Sequence, residues 1–143
     1  MSKTTFRKTL SANDVGSTGG HQGGVLIPKA ETELLEFLPP LDPGVKNPNA
    51  WLNCVDENLV PQRFKFRYYN NKLHDDGGTR NEYRVTYMTA WLRSVGAKEG
   101  DTFEISGKQG GREYFVRVIP ATINDIRSDE SVRIKLRGWN RVH

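Results

Sequence analysis

The sequence predicts a mostly β protein, folded as a barrel or a sandwich. Apolar and polar residues alternate over several short segments, glycines and prolines separate these segments, and only two brief segments carry helical periodicity. The chain has 143 residues, of which 36% are hydrophobic and 27% charged, as in an ordinary globular domain. Because this length suits one core and no internal repeat is visible, we expect a single domain over residues 1–143.

The first half of the chain predicts an irregular loop, a short strand and a short helix. Residues 11–24 are mostly small and polar and predict a loop or arm without regular structure. Val25–Ile27 follows as a short buried strand. Residues 30–38 predict a helix, because apolar residues recur at every fourth position before a pair of prolines. Residues 39–49 hold four of the seven prolines and predict an ordered surface connection.

The second half predicts strands around one further helix. Aromatic and basic side chains alternate over residues 64–68, and a turn at Asp76, Gly77 and Gly78 leads to a strand over residues 80–86, antiparallel if the turn closes a hairpin. Apolar residues at 88, 91, 92 and 95 form one helical stripe, which Gly96 is placed to end. Alternation returns in the segments 103–106, 114–119 and 132–136, with a glycine turn at 110–111.

The positive charge of the chain is concentrated in its middle. The net charge is +4, and residues 63–98 hold eight basic against three acidic residues, whereas the rest of the chain holds 13 basic and 14 acidic residues. Aromatic residues are interleaved with these bases. The pattern is typical of a surface for a polyanion, but a solvated strand face that is basic without a partner would give the same pattern.

The sequence lacks the motifs of common hydrolytic enzymes. There is no G-x-S-x-G or H-E-x-x-H motif, and one cysteine and three histidines are too scattered for a structural zinc site. Asp101, Glu104 and Lys108 come nearest to the residues of a magnesium-dependent nuclease. In a strand, however, the Cα atoms of Glu104 and Lys108 would lie roughly 13 Å apart. We therefore expect no catalysis, metal or cofactor in this chain.

The composition also bears on the compartment. No apolar run approaches the length of a membrane span, the N-terminus has no apolar leader, and the lone Cys54 cannot form an internal disulfide. We expect a cytoplasmic protein with no membrane partner.

The most specific cluster is formed by Arg80, Glu82 and Arg84. In a strand these side chains share a face at intervals of roughly 6–7 Å. Arginine pairs bidentately with guanine, and glutamate accepts a hydrogen bond from the cytosine amino group, so the cluster suits a G·C-rich major groove. A surface ladder of ion pairs, with little effect on stability, is the alternative interpretation.

Two segments, in the same order, resemble the N-terminal effector domain of EcoRII-type restriction endonucleases. The first is followed by Ile27 and Pro28, and its matching residues are Leu10, Ser11, Ala12, Asn13, Asp14, Gly16, Thr18, Gly19, Gly20, His21 and Gln22. The second joins Tyr68, Tyr69 and Asn70 to Thr79, Arg80, Asn81, Glu82 and Arg84. A weaker likeness, in Gly100, Asp101 and Phe103, is to the DNA-binding pseudobarrels of plant transcription factors called B-three domains.

The resemblance implies a seven-stranded DNA-binding pseudobarrel with two short helices capping its ends. Two arms would enter the major groove of double-stranded DNA and read a site of the CCWGG type, with one monomer on one duplex. The C-terminal arm would read bases through Arg80, Asn81, Glu82 and Arg84. The N-terminal arm would act through Ser11, Asn13, Asp14, Thr18, His21 and Gln22. We expect phosphate contacts from Lys8, Lys65, Arg67, Tyr69, Lys72 and Thr79.

The resemblance further implies a bacterial restriction endonuclease with a C-terminal nuclease domain outside this chain, where Mg²⁺ would be needed. Two alternatives remain. The chain could bind single-stranded DNA or RNA without sequence preference, by stacking bases on Phe64, Phe66, Tyr68 and Tyr69. The first three of these share a strand face, however, and fit a core better. A small stand-alone nuclease is the second alternative.

Overall fold

The computed structural model describes residues 3–16, 24–108, 111–121 and 139–142. This part of the chain contains eight strands and three short helices. The strands are β1 (Lys3–Thr9), β2 (Val25–Ile27), β3 (Asn49–Val55), β4 (Pro61–Tyr69), β5 (Glu82–Thr86), β6 (Thr102–Lys108), β7 (Glu113–Ile119) and β8 (Trp139–Val142). The helices are α1 (Thr32–Phe37), α2 (Asn71–His74) and α3 (Thr89–Ser94).

All eight strands belong to one sheet, in the order β2-β5-β4-β3-β7-β6-β1-β8. Neighbouring strands are antiparallel except β3 and β7, which are parallel. The sheet curls until its two edge strands, β2 and β8, meet. At this meeting point the indole Nε1 of Trp139 on β8 donates a hydrogen bond of 3.0 Å to the carbonyl of Leu26 on β2. The result is a nearly closed barrel, in which side-chain contact covers the edge strands.

The core follows from strand alternation. Phe64, Phe66 and Tyr68 on β4 all point inward and are at most 5% exposed. Burying these three aromatic side chains makes a major contribution to the hydrophobic stabilisation of the barrel. It also removes them from solvent, so the proposed base-stacking platform of Phe64, Phe66 and Tyr68 is wrong.

Helices α1 and α3 cover two different parts of the core. The ring of Phe37 on α1 lies 5.2 Å from the rings of Phe6 and Tyr114, measured between centroids. Trp91 on α3 packs against Phe64 and Phe103, at 5.5 and 6.1 Å. The prediction of two short capping helices is therefore confirmed, with bounds shorter by one or two residues at each end.

The mostly β fold class is confirmed, with differences in detail. The described residues form eight strands where seven were expected, because β1 pairs with β8 as well as with β6. The link from β4 to β5 is no simple hairpin turn, since it contains α2, and β5 begins at Glu82 and not at residue 80. The predicted strand 132–136 and Gly110 lie outside the described residues.

Glu104 on β6 forms ion pairs with arginines on both neighbouring strands. Its carboxylate is nearly buried and accepts hydrogen bonds of 2.8 Å from the Nε atoms of Arg7 on β1 and Arg117 on β7. Burial by itself would raise the pKa of Glu104, but the hydrogen bonds and charges of Arg117 and Arg7 outweigh burial and lower it. Glu104 thus joins three neighbouring strands.

Two further findings concern the described residues as a whole. They contain no group of three or more His, Cys, Asp or Glu side chains placed to hold a metal ion. None of their helices has the length and apolar character needed to cross a bilayer.

Glu104→Gln should lower the free energy of unfolding by about 1 kcal/mol at neutral pH, because two arginines lose a charged acceptor in a partly exposed network. The folded-state pKa of Glu104 lies below its ordinary value. The stabilisation is therefore present above the ordinary glutamate range and is lost as pH falls through the folded-state pKa. Urea denaturation over a pH series measures both effects. The exposed Glu113→Gln is the control, and a Glu104→Gln difference that persists unchanged in acid would contradict the assignment.

Candidate nucleic-acid interface

Two connections flank β5 and form the arms of the candidate site. The N-terminal arm is the connection between β1 and β2, residues 10–24, of which 10–16 and 24 are described. The C-terminal arm is the connection between β4 and β5, residues 70–81. Because β2 and β5 are antiparallel, with Val25 opposite Val85 and Ile27 opposite Tyr83, the two arms enter this strand pair from opposite ends. The outer face of β5 therefore lies between them.

Buried Asn70 fixes the base of the C-terminal arm. Its Oδ1 accepts a hydrogen bond of 2.7 Å from the backbone N–H of Asn47, and its Nδ2 donates to the carbonyls of Pro43 and Val45 at 3.3 and 2.9 Å. Asn47 returns the contact, since its Oδ1 accepts from the N–H of Asn70 at 3.1 Å. The side chain of Asn70 is fully buried. The arm is thus tied to the proline-rich connection 39–49, which is ordered as predicted.

The rest of the C-terminal arm folds back on α2. Asn71 Oδ1 accepts from the backbone N–H of Arg80 at 2.8 Å, and the carbonyl of Arg80 accepts from the N–H of Lys72 at 3.0 Å. A side chain at Gly78 would bring its Cβ within 2.3 Å of the Asn71 carbonyl oxygen, so only glycine fits this close approach. The backbone of Arg80 is therefore held in place before β5 begins.

Arg80, Glu82 and Arg84 come together as the sequence predicted, although Arg80 precedes the strand. The Nε of Arg80 lies 3.4 Å from Glu82 Oε1, and the Nε of Arg84 donates to Glu82 Oε2. Arg80 also lies over the ring of Tyr69, 3.9 Å from its centroid. The ladder of ion pairs proposed as the alternative is thus present. It uses the Nε of each arginine, and the terminal nitrogens of Arg80 make no hydrogen bond within the described part of the chain.

Arg84 joins the two arms. Besides its bond to Glu82, it donates from Nη1 to the carbonyl of Gly24 at 2.9 Å, at the end of the N-terminal arm. Gly24 has a φ of +89°, and a Cβ there would lie 2.4 Å from the Val85 carbonyl oxygen. Both the backbone conformation and the close approach to β5 therefore require glycine at this position.

Glu82 remains an anion in this setting. Burial would raise the pKa of its carboxyl, but the hydrogen bond and charge of Arg84 and the nearby Arg80 outweigh burial and lower it. Each carboxylate oxygen has one arginine partner and keeps a second lone pair. Glu82 can therefore accept a further hydrogen bond while it orients both guanidinium groups.

Asn81 lies against the core side of the same arm. Its Oδ1 accepts a hydrogen bond of 2.5 Å from the hydroxyl of Tyr68, whose ring stacks on Tyr83 with centroids 4.3 Å apart. This contact leaves the amide nitrogen as the group that Asn81 can direct toward a ligand.

A compact network shapes the described part of the N-terminal arm. Buried Asp14 accepts hydrogen bonds from the backbone N–H of Ser11 at 2.9 Å and from Lys8 Nζ at 2.5 Å. Its own N–H donates to Ser11 Oγ at 3.1 Å. Asn13 is exposed beside them. The predicted contacts Thr18, His21 and Gln22 lie outside the described residues.

Apart from Lys8, the predicted phosphate contacts lie on the outer face of β4 or on the C-terminal arm that follows it. Lys65, Arg67 and Tyr69 alternate with the buried aromatics of β4 and face outward, while Lys72 and Thr79 are exposed on the C-terminal arm. Lys8 is bonded to Asp14 at the base of the other arm, and its side chain is only 12% exposed.

Sequence reasoning missed two features of this surface. One is the Asn47–Asn70 pair, for which no local pattern exists because the partners are 23 residues apart. The other is Trp51 on β3, whose outward position follows from the alternation of Asn49–Val55. That alternation could have predicted β3 and, with it, an exposed tryptophan beside the basic face.

Comparison with known proteins gives a relationship for the N-terminal two thirds of the chain. Residues 1–94 match the model of the family described as restriction endonuclease EcoRII, N-terminal. The type II restriction enzyme EcoRII of Escherichia coli is 41% identical over 83 residues, which are 57% of this chain and 20% of that enzyme. The chain thus spans about a fifth of the length of that relative.

A solved structure supports the fold. The crystal structure of the B3 domain of the UbaLAI restriction endonuclease, with cognate DNA, aligns with a TM-score of 0.52 and 20% identity. The alignment covers 81% of this chain and 67% of that one. At this identity the match concerns the fold, which is the B3-type pseudobarrel. Since the family model covers more than half of the sequence, the chain belongs to the EcoRII N-terminal domain family of restriction endonucleases.

Proposed function

We propose that this chain is the sequence-specific DNA-binding domain of a type II restriction endonuclease, and that it reads a CCWGG-type site in the major groove. The observation that carries the proposal is the Arg80–Glu82–Arg84 cluster on the face of β5 between two arms. The family relationship and the likeness to a domain crystallised with cognate DNA support it.

The dimensions of the site suit a duplex. From Glu82 to Thr86, β5 extends roughly 13 Å, close to the width of about 12 Å of a B-DNA major groove. The terminal nitrogens of Arg80 can pair bidentately with guanine N7 and O6, and Glu82 can accept from cytosine N4. Asn81 and Arg84 assist from either side, so this arm reads a half-site rich in G·C pairs.

The N-terminal arm reads the other half from the opposite side. Its contacts are Ser11, Asn13, Asp14, Thr18, His21 and Gln22. Because the two arms differ, one monomer can embrace a nearly palindromic site without forming a dimer. Phosphates are bound by Lys8, Lys65, Arg67, Tyr69, Lys72 and Thr79, which position the duplex without specifying its sequence.

The chain itself acts as a recognition and effector domain without catalysis. The restriction enzyme EcoRII is about five times longer than the matched region, which covers 20% of it. We propose that cleavage, and the Mg²⁺ it needs, belong to a C-terminal nuclease domain of a bacterial, cytoplasmic enzyme.

Selection of bound duplexes from a random pool tests the function directly. We expect enrichment of a G·C-rich, CCWGG-type sequence, and competition in which an unrelated duplex and single-stranded DNA bind far more weakly. Equal binding of single strands would contradict the proposal. Cleavage of plasmid by this chain with magnesium would contradict the absence of catalysis.

Arg80→Ala should weaken cognate binding by about 1–3 kcal/mol and relax specificity at the base it reads. Arg80 is the better choice than Arg84, because Arg84 also holds Gly24. Binding titrations with the cognate duplex and single-base variants measure both effects. The control is Arg112→Ala, which removes an exposed positive charge away from the site. Full retention of base discrimination by Arg80→Ala would remove it from the readout.

Glu82→Gln keeps the shape of the side chain and removes its charge. We expect weaker cognate binding, although a negative charge near DNA is lost, because the arginines lose their charged partner and cytosine its stronger acceptor. Since the pKa of Glu82 is lowered, wild-type specificity should stay constant as pH falls from 7 and decline only below the ordinary glutamate range. Titrations over pH check this. Tighter binding to all duplexes by Glu82→Gln would mean that Glu82 only repels DNA.

Asn70→Ala should loosen the C-terminal arm. The change leaves a backbone N–H and two carbonyls without their partner and should destabilise the fold by about 1–3 kcal/mol. Cognate affinity should fall further than stability alone explains, because an arm that is not preorganised must be ordered on binding. Urea denaturation and DNA titration of the same samples separate the two losses. The control is Asn71→Ala, which removes only the hydrogen bond to the backbone N–H of Arg80. It should lower cognate affinity with a smaller loss of stability than Asn70→Ala. Equal losses of stability in the two variants would contradict the anchoring role of Asn70.

A further inference from the structure

An exposed pair of aromatic rings lies on the outer face of the sheet, beyond the recognition cluster. Trp51 on β3 is 42% exposed and Tyr87, just after β5, is 59% exposed. Their rings stack with centroids 5.7 Å apart and an interplanar angle of 16°. They meet across β4, because Lys65 is the register partner of both Trp51 and Thr86. Two large rings are thus kept in solvent.

The backbone of Tyr87 contributes to this arrangement. Tyr87 has a φ of +67°, in the left-handed region that aromatic residues rarely adopt. Such conformations persist only where the surroundings hold them, and they cluster at functional sites. Tyr87 is fixed on both sides, because Thr86 pairs with β4 and Met88 is buried. With this backbone conformation the ring of Tyr87 points outward and lies against Trp51.

Three cations lie over these rings. The guanidinium of Arg63 is 4.3 Å from the centroid of Trp51, Lys65 Nζ is 4.7 Å from the same ring, and the guanidinium of Arg67 is 5.7 Å from Tyr87. Within the described part of the chain, none of the three has an acidic partner within 4.0 Å. The face therefore carries a positive charge that has no acidic counterion among the described residues.

The cations, and not the ring faces, are what this surface offers to a ligand. A base that stacked on Trp51 would have to displace Arg63 or Lys65. The rings instead hold the cations in a line along β4, where alternate residues are spaced roughly 6.7 Å apart. Successive phosphates of one DNA strand rise about 3.4 Å along the axis but lie roughly 6–7 Å apart in space, because they also wind around it, so this spacing matches neighbouring phosphates.

The line also begins beside the recognition cluster. Arg67 is the register partner of Arg84, and from there the cations run away from the C-terminal arm to Arg63, roughly 13 Å further along β4. A duplex read at Arg84 would therefore continue over Lys65 and Arg63 outside the recognised bases.

We propose that Arg63, Lys65 and Arg67 form a second contact, with the phosphate backbone of the DNA that flanks the recognition site, and that Trp51 and Tyr87 are positioning residues for these cations. The inference rests on the proposed function and adds Arg63, Trp51 and Tyr87 to it. It predicts that affinity depends on the length of the flanking DNA.

The test compares a short duplex, a CCTGG site with about 3 flanking base pairs on each side, with a long one carrying about 12. The wild-type chain should bind the long duplex several-fold more tightly. Arg63→Gln should reduce this gain and lower the salt slope on the long duplex by about one. Trp51→Leu keeps every charge and should reduce the gain as well, whereas Trp51→Phe should restore it. Lys3→Gln removes an exposed cation on β1, four strands away from β4 in the sheet, and is the control.

The outcomes separate the two proposals. If the wild type binds both duplexes and no variant alters the gain with length, the flanking contact is refuted while the recognition function stands. If Lys3→Gln lowers the gain as much as Arg63→Gln, the effect is one of net charge and the line of cations is refuted. If Trp51→Leu weakens binding of a single-stranded oligonucleotide more than of the duplex, the rings stack bases and the inference is wrong. Failure of the wild type to bind either duplex would overturn both proposals.

Discussion

The site depends on two contacts that the guanidinium group of Arg84 makes. It bonds to Glu82 on one side and to the Gly24 carbonyl on the other, so it joins the end of the N-terminal arm to β5, the strand that follows the C-terminal arm. Glycine at position 24 permits this, because any Cβ there would collide with β5. An arginine that is itself held by two acceptors keeps fewer free donors, yet those donors have fixed directions. Fixed directions favour discrimination between base pairs over raw affinity.

The barrel makes this arrangement rigid. The hydrogen bond from Trp139 to Leu26 brings the edge strand β8 against β2, which is the strand that follows the N-terminal arm. On the other side, Asn70 bonds the C-terminal arm to the connection 39–49. Both arms therefore leave from anchored positions. A site built on such supported loops needs less ordering when a ligand binds.

Local periodicity predicted several elements correctly, although β1 and the alternating β3 were missed. Alternation located β4, β6 and β7 and placed Phe64 and Phe66 in the core, and helical spacing located α1 and α3 to within a few residues. It also brought Arg80, Glu82 and Arg84 together. It could not predict contacts between distant segments, such as Asn47 with Asn70 or Arg84 with Gly24, because these depend on how the sheet curls. It missed α2, whose four residues are too few to show a period, and it began β5 two residues early, because Arg80 is held by Asn71 and not by a strand partner.

The alternation of side chains along β4 shapes both the core and the charged outer face. The same alternation that turns Phe64, Phe66 and Tyr68 inward turns Arg63, Lys65, Arg67 and Tyr69 outward. A slip of one residue in the pairing of β4 would expose the aromatic residues and bury the cations, so the register that folds the barrel is also the register that presents its charge. This coupling places three of the eight basic residues of segment 63–98 on one face of a single strand. Because β4 is the longest of the described strands, it offers five outward positions beside its three inward aromatic residues, and three of the five carry cations.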